Sequence, residues 1–207
     1  MKKKVNKITL VLGLAVMAVL VCVRIYQVNV SAPVIATERY SMGEWVDYNG
    51  AFLSTIDENT QGYSVRITSA RCISHDEYIE LYGLDKADNI EGLDAKSIIV
   101  MDMEVKNAGN EEGYIYLFGS NLIPVRKNDY FIIDADLWSK TEGQLPEGEM
   151  SFILALKKDS QYTTHLPYTI NDADEDNARY KKDITDTHFE LLISNSPVKK
   201  VIDIQVH

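Results

Sequence analysis

Ser97-Ile98-Ile99-Val100-Met101-Asp102-Met103-Glu104-Val105-Lys106-Asn107 is the stretch that decides the fold. Ile99, Met101, Met103 and Val105 fall on one parity, and Asp102, Glu104 and Lys106 on the other. Successive side chains of a strand point to opposite faces, so this period of two predicts a long strand with one face buried and one wet. Asn107-Ala108-Gly109-Asn110 closes it with turn-forming residues.

The same pattern spreads outward in both directions. Upstream, Tyr63, Val65 and Ile67 alternate with Ser64, Arg66 and Thr68. The alternation fails at Ser69, where a bulge would switch faces and turn Cys72 inward. Ser74-His75-Asp76-Glu77 has the form of a capping box, and Tyr78, Ile79, Leu81 and Tyr82 follow at helical spacing before Gly83. Downstream, 114–118, 130–133, 151–156, 163–170, 189–193 and 201–206 are further short β-rich runs. Trp45 to Leu53 and Asn121 to Val125 are two more, with Pro124 suited to an edge. The expected fold class is all-β, a two-sheet β-sandwich with one short helix.

The amino terminus is of a different kind. Lys2, Lys3, Lys4 and Lys7 precede an apolar run from Ile8 to Val23. Carried through Arg24, Ile25 and Tyr26, the run reaches about 28 Å as a helix, close to the roughly 30 Å of a bilayer core. Positive charge before the span predicts a cytoplasmic start and an extracellular remainder. The expected layout is a signal anchor or transmembrane helix over 1–26, a tether over 27–44 and an extracellular β-sandwich over 45–207. Cleavage after a small residue, which would release a secreted protein, is the alternative localisation.

Composition narrows the partners. The first 24 residues hold five basic side chains and no acid, which leaves 16 basic against 31 acidic side chains and a net charge of −15 beyond them. A surface of that sign repels nucleic acid and anionic lipid head groups. Cys72 is the single cysteine beyond the apolar segment, so no internal disulfide supports the fold.

The order of features resembles the telokin-like or immunoprotective-antigen-like extracellular domains of Gram-positive bacteria, which have an immunoglobulin fold. The stretches that carry it are GYSVRITSA, SIIVMDMEVKNAGN, and Leu145-Pro146-Glu147-Gly148-Glu149 running into SFILALKKD. Here Glu147 separates the proline from the glycine of the usual turn. The resemblance covers about Gly62 to His207 and implies an exported immunoglobulin-like sandwich. It brings no catalytic residues.

Candidate chemistry is thin. Asp172, Asp174 and Asp176 have the one-three-five spacing of a calcium loop, with Asp183 at position twelve. Asn177 stands where such loops have glycine, and a solvated acidic loop accounts for the same residues. Tyr114 and Tyr116 alternate with Ile115 and Leu117, so one pair faces out if the other is buried. Trp138, in an Asp-rich segment read as a loop, suits either a contact anchor or a plug at the end of the core. His165, His188 and His207 are isolated in sequence, and an enzyme would need the fold to bring His75, His165 or His188 to a carboxylate in a concave pocket. The functional expectation is a membrane-anchored, non-enzymatic binding module that needs no cofactor. The alternatives are an envelope hydrolase or metal-dependent enzyme, and an accessory subunit of a membrane complex.

Overall fold

The structure, a computed structural model, describes residues 2–31, 35–55, 57–84, 95–125, 129–142, 152–171 and 184–207. The chain divides into two compact units, Met1–Ile35 and Ala36–His207. The first is helix α1 (Lys2–Ser31), whose Thr9–Ser31 portion, 23 residues with a mean hydropathy of 2.3, is long and apolar enough to cross a bilayer. The helix thus runs beyond the expected boundary at residue 26. A strand also occupies part of the expected tether, so the folded unit starts earlier than residue 45.

The second unit is mostly β. One sheet contains β1 (Thr37–Ser41), β6 (Leu122–Pro124), β9 (His188–Ser194) and β10 (Lys199–Gln205), in the order β1-β10-β9-β6. The other contains β2 (Val46–Asp47), β3 (Tyr63–Ser74), β4 (Ala95–Asn107) and β8 (Ser160–Asn171), in the order β2-β3-β4-β8. A two-stranded ribbon pairs β5 (Ile115–Tyr116) with β7 (Ile153–Leu154). Proline at the end of β6 removes a ladder donor, and β6 is indeed the last strand of its sheet.

β4 keeps the predicted alternation. Ile99, Met101, Met103 and Val105 are fully buried and join Phe189, Leu191, Ile202 and Ile204 of the other sheet in one core. Each such side chain contributes about 1.5–3 kcal/mol through its removal from water. The bulge falls at Thr68, between the Ile67–Met103 and Ser69–Asp102 pairs, and beyond it Ala70 and Cys72 turn to the core. Gly62 opens this strand at φ +81, and a Cβ there would lie 2.4 Å from the Ala108 carbonyl oxygen.

The outer face of β4 is not wet along its whole length. Ile98 and Val100 are buried with Ile73, Tyr78 and Leu137 under two helices, α2 (His75–Leu81) and α3 (Ala135–Glu142). α2 starts as predicted, with the Ser74 hydroxyl accepting the Glu77 N–H at 3.2 Å. α3 corrects the expectation of a single short helix in the folded unit, because the segment read as a loop around Trp138 is helical. Asp134 caps it: its Oδ1 accepts the Leu137 N–H at 3.0 Å, satisfying a donor that the helix leaves free.

Candidate functional site

Helix α3 lies along the outer edge of β8 and is fastened at both ends. At its start, the Asp134 N–H donates to the Pro167 carbonyl at 2.8 Å. In its middle, Trp138 donates from Nε1 to Thr164 Oγ1 at 3.0 Å and stacks on Phe152 with ring centroids 5.2 Å apart. The Tyr78 and Thr141 hydroxyls, 2.7 Å apart, join it to α2. At its end, Glu142 Oε1 accepts the His165 backbone N–H at 2.7 Å, and Oε2 accepts the Tyr162 hydroxyl at 2.5 Å. An acidic side chain at a helix C-terminus faces the negative end of the dipole. These bonds offset that cost.

The same carboxylate reaches a histidine ring. Glu142 Oε1 is 3.1 Å from His165 Nδ1, and the Glu142 side chain is only 4% exposed. Antiparallel register places Asp102 of β4 opposite His165, with Oδ1 3.9 Å from the other ring nitrogen, Nε2. Asp102 Oδ2 accepts the Ser69 hydroxyl at 2.5 Å. Tyr82, at the end of α2, sets its ring 5.0 Å from the imidazole. Two carboxylates and an aromatic ring therefore surround one histidine.

The electrostatics follow from that geometry. Hydrogen bonding to Glu142 raises His165 above its ordinary value, against the opposing pull of its partial burial. Burial pushes Glu142 up, but the bonds from His165 and Tyr162 outweigh it and leave the carboxyl below its usual range. Burial, with Asp102 adding to it, pushes Tyr82 up to about 12, so its ring stays neutral.

Residues singled out from the sequence are scattered. Trp138 is 4% exposed and contributes to the core, which corrects the contact-anchor reading: its indole is used by Thr164 and Phe152. Tyr114 and Tyr116 are half-buried, opposite buried Ile115 and Leu117. Tyr116 faces Ile153 across the ribbon, and Phe118 stands 6.4 Å from its ring, so these three form an apolar outer patch. Asp172, Asp174, Asp176 and Asp183 lie outside the described residues. Among the described residues no group of three or more His, Cys, Asp or Glu is placed to hold a metal ion. A groove of ≈ 500 Å³ opens beside Asn59, Gln61, Gly109 and Asn110, away from every histidine.

Glu142 and Asp102 escaped the sequence reading. They stand 23 residues before and 63 before His165 in the chain, and only the β4–β8 register and the helical turn to Glu142 bring them together. The capping pattern of Asp134 ahead of Leu137 was the one local signal that could have revealed α3.

The family described as "Domain of unknown function (DUF5028)" matches residues 37–200, from the first residue of β1 into β10. The chain belongs to this family. The family's span lies within the folded unit and leaves α1 outside it. No curated protein matches the sequence. Two solved structures are similar: a conserved hypothetical protein from Bacillus anthracis and a functionally unknown protein from Listeria monocytogenes EGD-e. The first has 14% identity and a TM-score of 0.37, over 73% of this chain and 94% of that one. The second has 11% identity and a TM-score of 0.42, over 81% and 90%.

Proposed function

We propose that this DUF5028 chain is a membrane-anchored extracellular binding module that acts without catalysis. The observation that carries the reading is the pairing of an apolar helix of spanning length with a separate β unit that exposes Phe118 and Ile153 beside half-buried Tyr116. Phe118 is 40% and Ile153 46% exposed, and exposed aromatic side chains are favourable anchors for a protein partner. The fold we assign to the unit is an immunoglobulin-like sandwich related to the telokin-like extracellular domains. Two four-stranded sheets sharing one core support it.

The histidine between two carboxylates favours a hydrolytic reading as the second choice, because such a pair can move protons. The orientation of both ring nitrogens argues against it. Nδ1 is turned to Glu142 and Nε2 to Asp102, so neither is turned to a substrate.

The test is photo-crosslinking in cells from position 118 of the full-length protein. Capture of one protein, reduced at least several-fold by Tyr116→Ala with Ile153→Ala, is the expected result. Capture no greater than from an unrelated anchored control would remove the binding reading. A tag after His207 that is protected from external protease in intact cells would overturn the extracellular placement.

A further inference from the structure

We propose that α3 is a proton-gated strap over the outer edge of β8, held shut while His165 is an imidazolium and loosened when it becomes neutral. The geometry carries the argument. An imidazole has two ring nitrogens, and the neutral form has one N–H for both. Glu142 Oε1 lies 3.1 Å from Nδ1 and Asp102 Oδ1 3.9 Å from Nε2, and both are acceptors when ionised. Asp102 Oδ1 is buried with no hydrogen-bond partner among the described residues. A neutral ring that keeps its bond to Glu142 therefore turns a lone pair toward a buried carboxylate oxygen. The imidazolium alone presents a donor to each.

Groups from every neighbouring element act on this ring. α3 supplies Glu142, β4 supplies Asp102, β8 supplies the Tyr162 hydroxyl on Glu142, and the cap of α2 supplies the Tyr82 ring. The Tyr82 ring is tilted 59° to the imidazole, with centroids 5.0 Å apart. Arg71 of β3 opposes the charge on His165, and Tyr78 sits beside the same carboxylate with its hydroxyl on Thr141. The hydrogen bond to Glu142 and the charges of Glu142 and Asp102 outweigh the ring's partial burial and the single arginine, and the net effect on His165 is upward.

What the strap covers gives the switch a consequence. A strand edge exposes N–H and C=O groups that can pair with another chain. On β8, Glu142 occupies the His165 N–H, residue 167 is proline and has none, and the Pro167 carbonyl holds the Asp134 N–H. Loosening α3 returns the His165 N–H and the Pro167 carbonyl to solvent.

The experiment uses the full-length protein in detergent micelles. Amide exchange of residues 135–142 and 162–166, corrected for the chemical exchange rate, is followed from pH 5.5 to pH 9, and the His165 ring is titrated by NMR. Protection in the wild type should fall several-fold as His165 loses its proton. In Asp102→Asn the amide can donate to neutral Nε2, so the fall should vanish and the ring should titrate lower. In His165→Gln, protection should stay flat with pH at the wild-type alkaline level. A flat wild-type profile, an unchanged fall in Asp102→Asn or a persisting fall in His165→Gln would each overturn the proposal.

Discussion

His165 and His188 each face an aspartate on a neighbouring strand, and the two pairs differ in what else the aspartate can use. His188 Nε2 is 3.6 Å from Asp203 Oδ1, slightly closer than the 3.9 Å between His165 and Asp102. Both Oδ1 atoms are buried without a hydrogen bond among the described residues. Asp203, however, also has Arg39 Nη1 at 3.6 Å, and a guanidinium keeps its charge at every accessible pH. Asp102 has the neutral Ser69 hydroxyl on its other oxygen. A histidine's proton matters to a fold where no permanent cation stands behind it. Among the described residues no ion pair joins a permanent cation to Asp102, although Arg71 of β3 acts on His165 itself, whereas Arg39 stands directly beside Asp203.

The largest effect should come from removing the second acid of the tighter cluster. Glu142→Ala leaves the His165 N–H and the Tyr162 hydroxyl without their acceptor at a nearly buried site. The expected loss is about 2–3 kcal/mol, measured by denaturant unfolding of the micelle-bound protein with Trp138 fluorescence as the signal. A loss below about 0.5 kcal/mol would show that α3 is held by its apolar contacts alone. The pH profile has two limbs. Glu142 titrates below its ordinary value, so its contribution is full above the usual carboxylate range and is lost as pH falls through the lowered value. His165 titrates above its ordinary value, so its contribution is full below about 6.5 and is lost as pH rises through the raised value. Wild-type stability should therefore peak between the two and decline on the alkaline side. Its failure to decline there would remove His165 from the account.

The two histidine sites also mark how far the sequence could be read. The alternation of Ile99, Met101, Met103 and Val105 was legible because a strand's geometry writes itself locally with a period of two. The unbroken apolar run Ile98-Ile99-Val100-Met101 carries the mark of a strand covered on both faces, and α2 and α3 supply the second cover. α3 itself was obscured because Ala135–Glu142 is short and mixed in polarity, and most of its stability comes from packing Leu137 and Trp138. The acids around His165 could not be found in the same way. Their chemistry depends on strand register and on where a helix ends, neither of which leaves a spacing in the chain.

Arg39 offers the way to convert one histidine site into the other. Its guanidinium pairs with Glu190 and approaches Asp203, and its side chain is 55% exposed. Arg39→Gln should cost about 1 kcal/mol or less, as partly exposed ion pairs do. It should also leave His188 as the one basic side chain beside Asp203 among the described residues. His188→Gln in the wild-type background should change stability by less than about 0.5 kcal/mol, since Arg39 still faces Asp203. The same substitution made on top of Arg39→Gln should cost more than it does alone, because it strips the last cation from a buried carboxylate oxygen. Unfolding curves of the two single variants and the double variant give that coupling directly. Additivity would mean that Arg39 does not buffer the His188 site, and the contrast with His165 would then have to rest on burial alone.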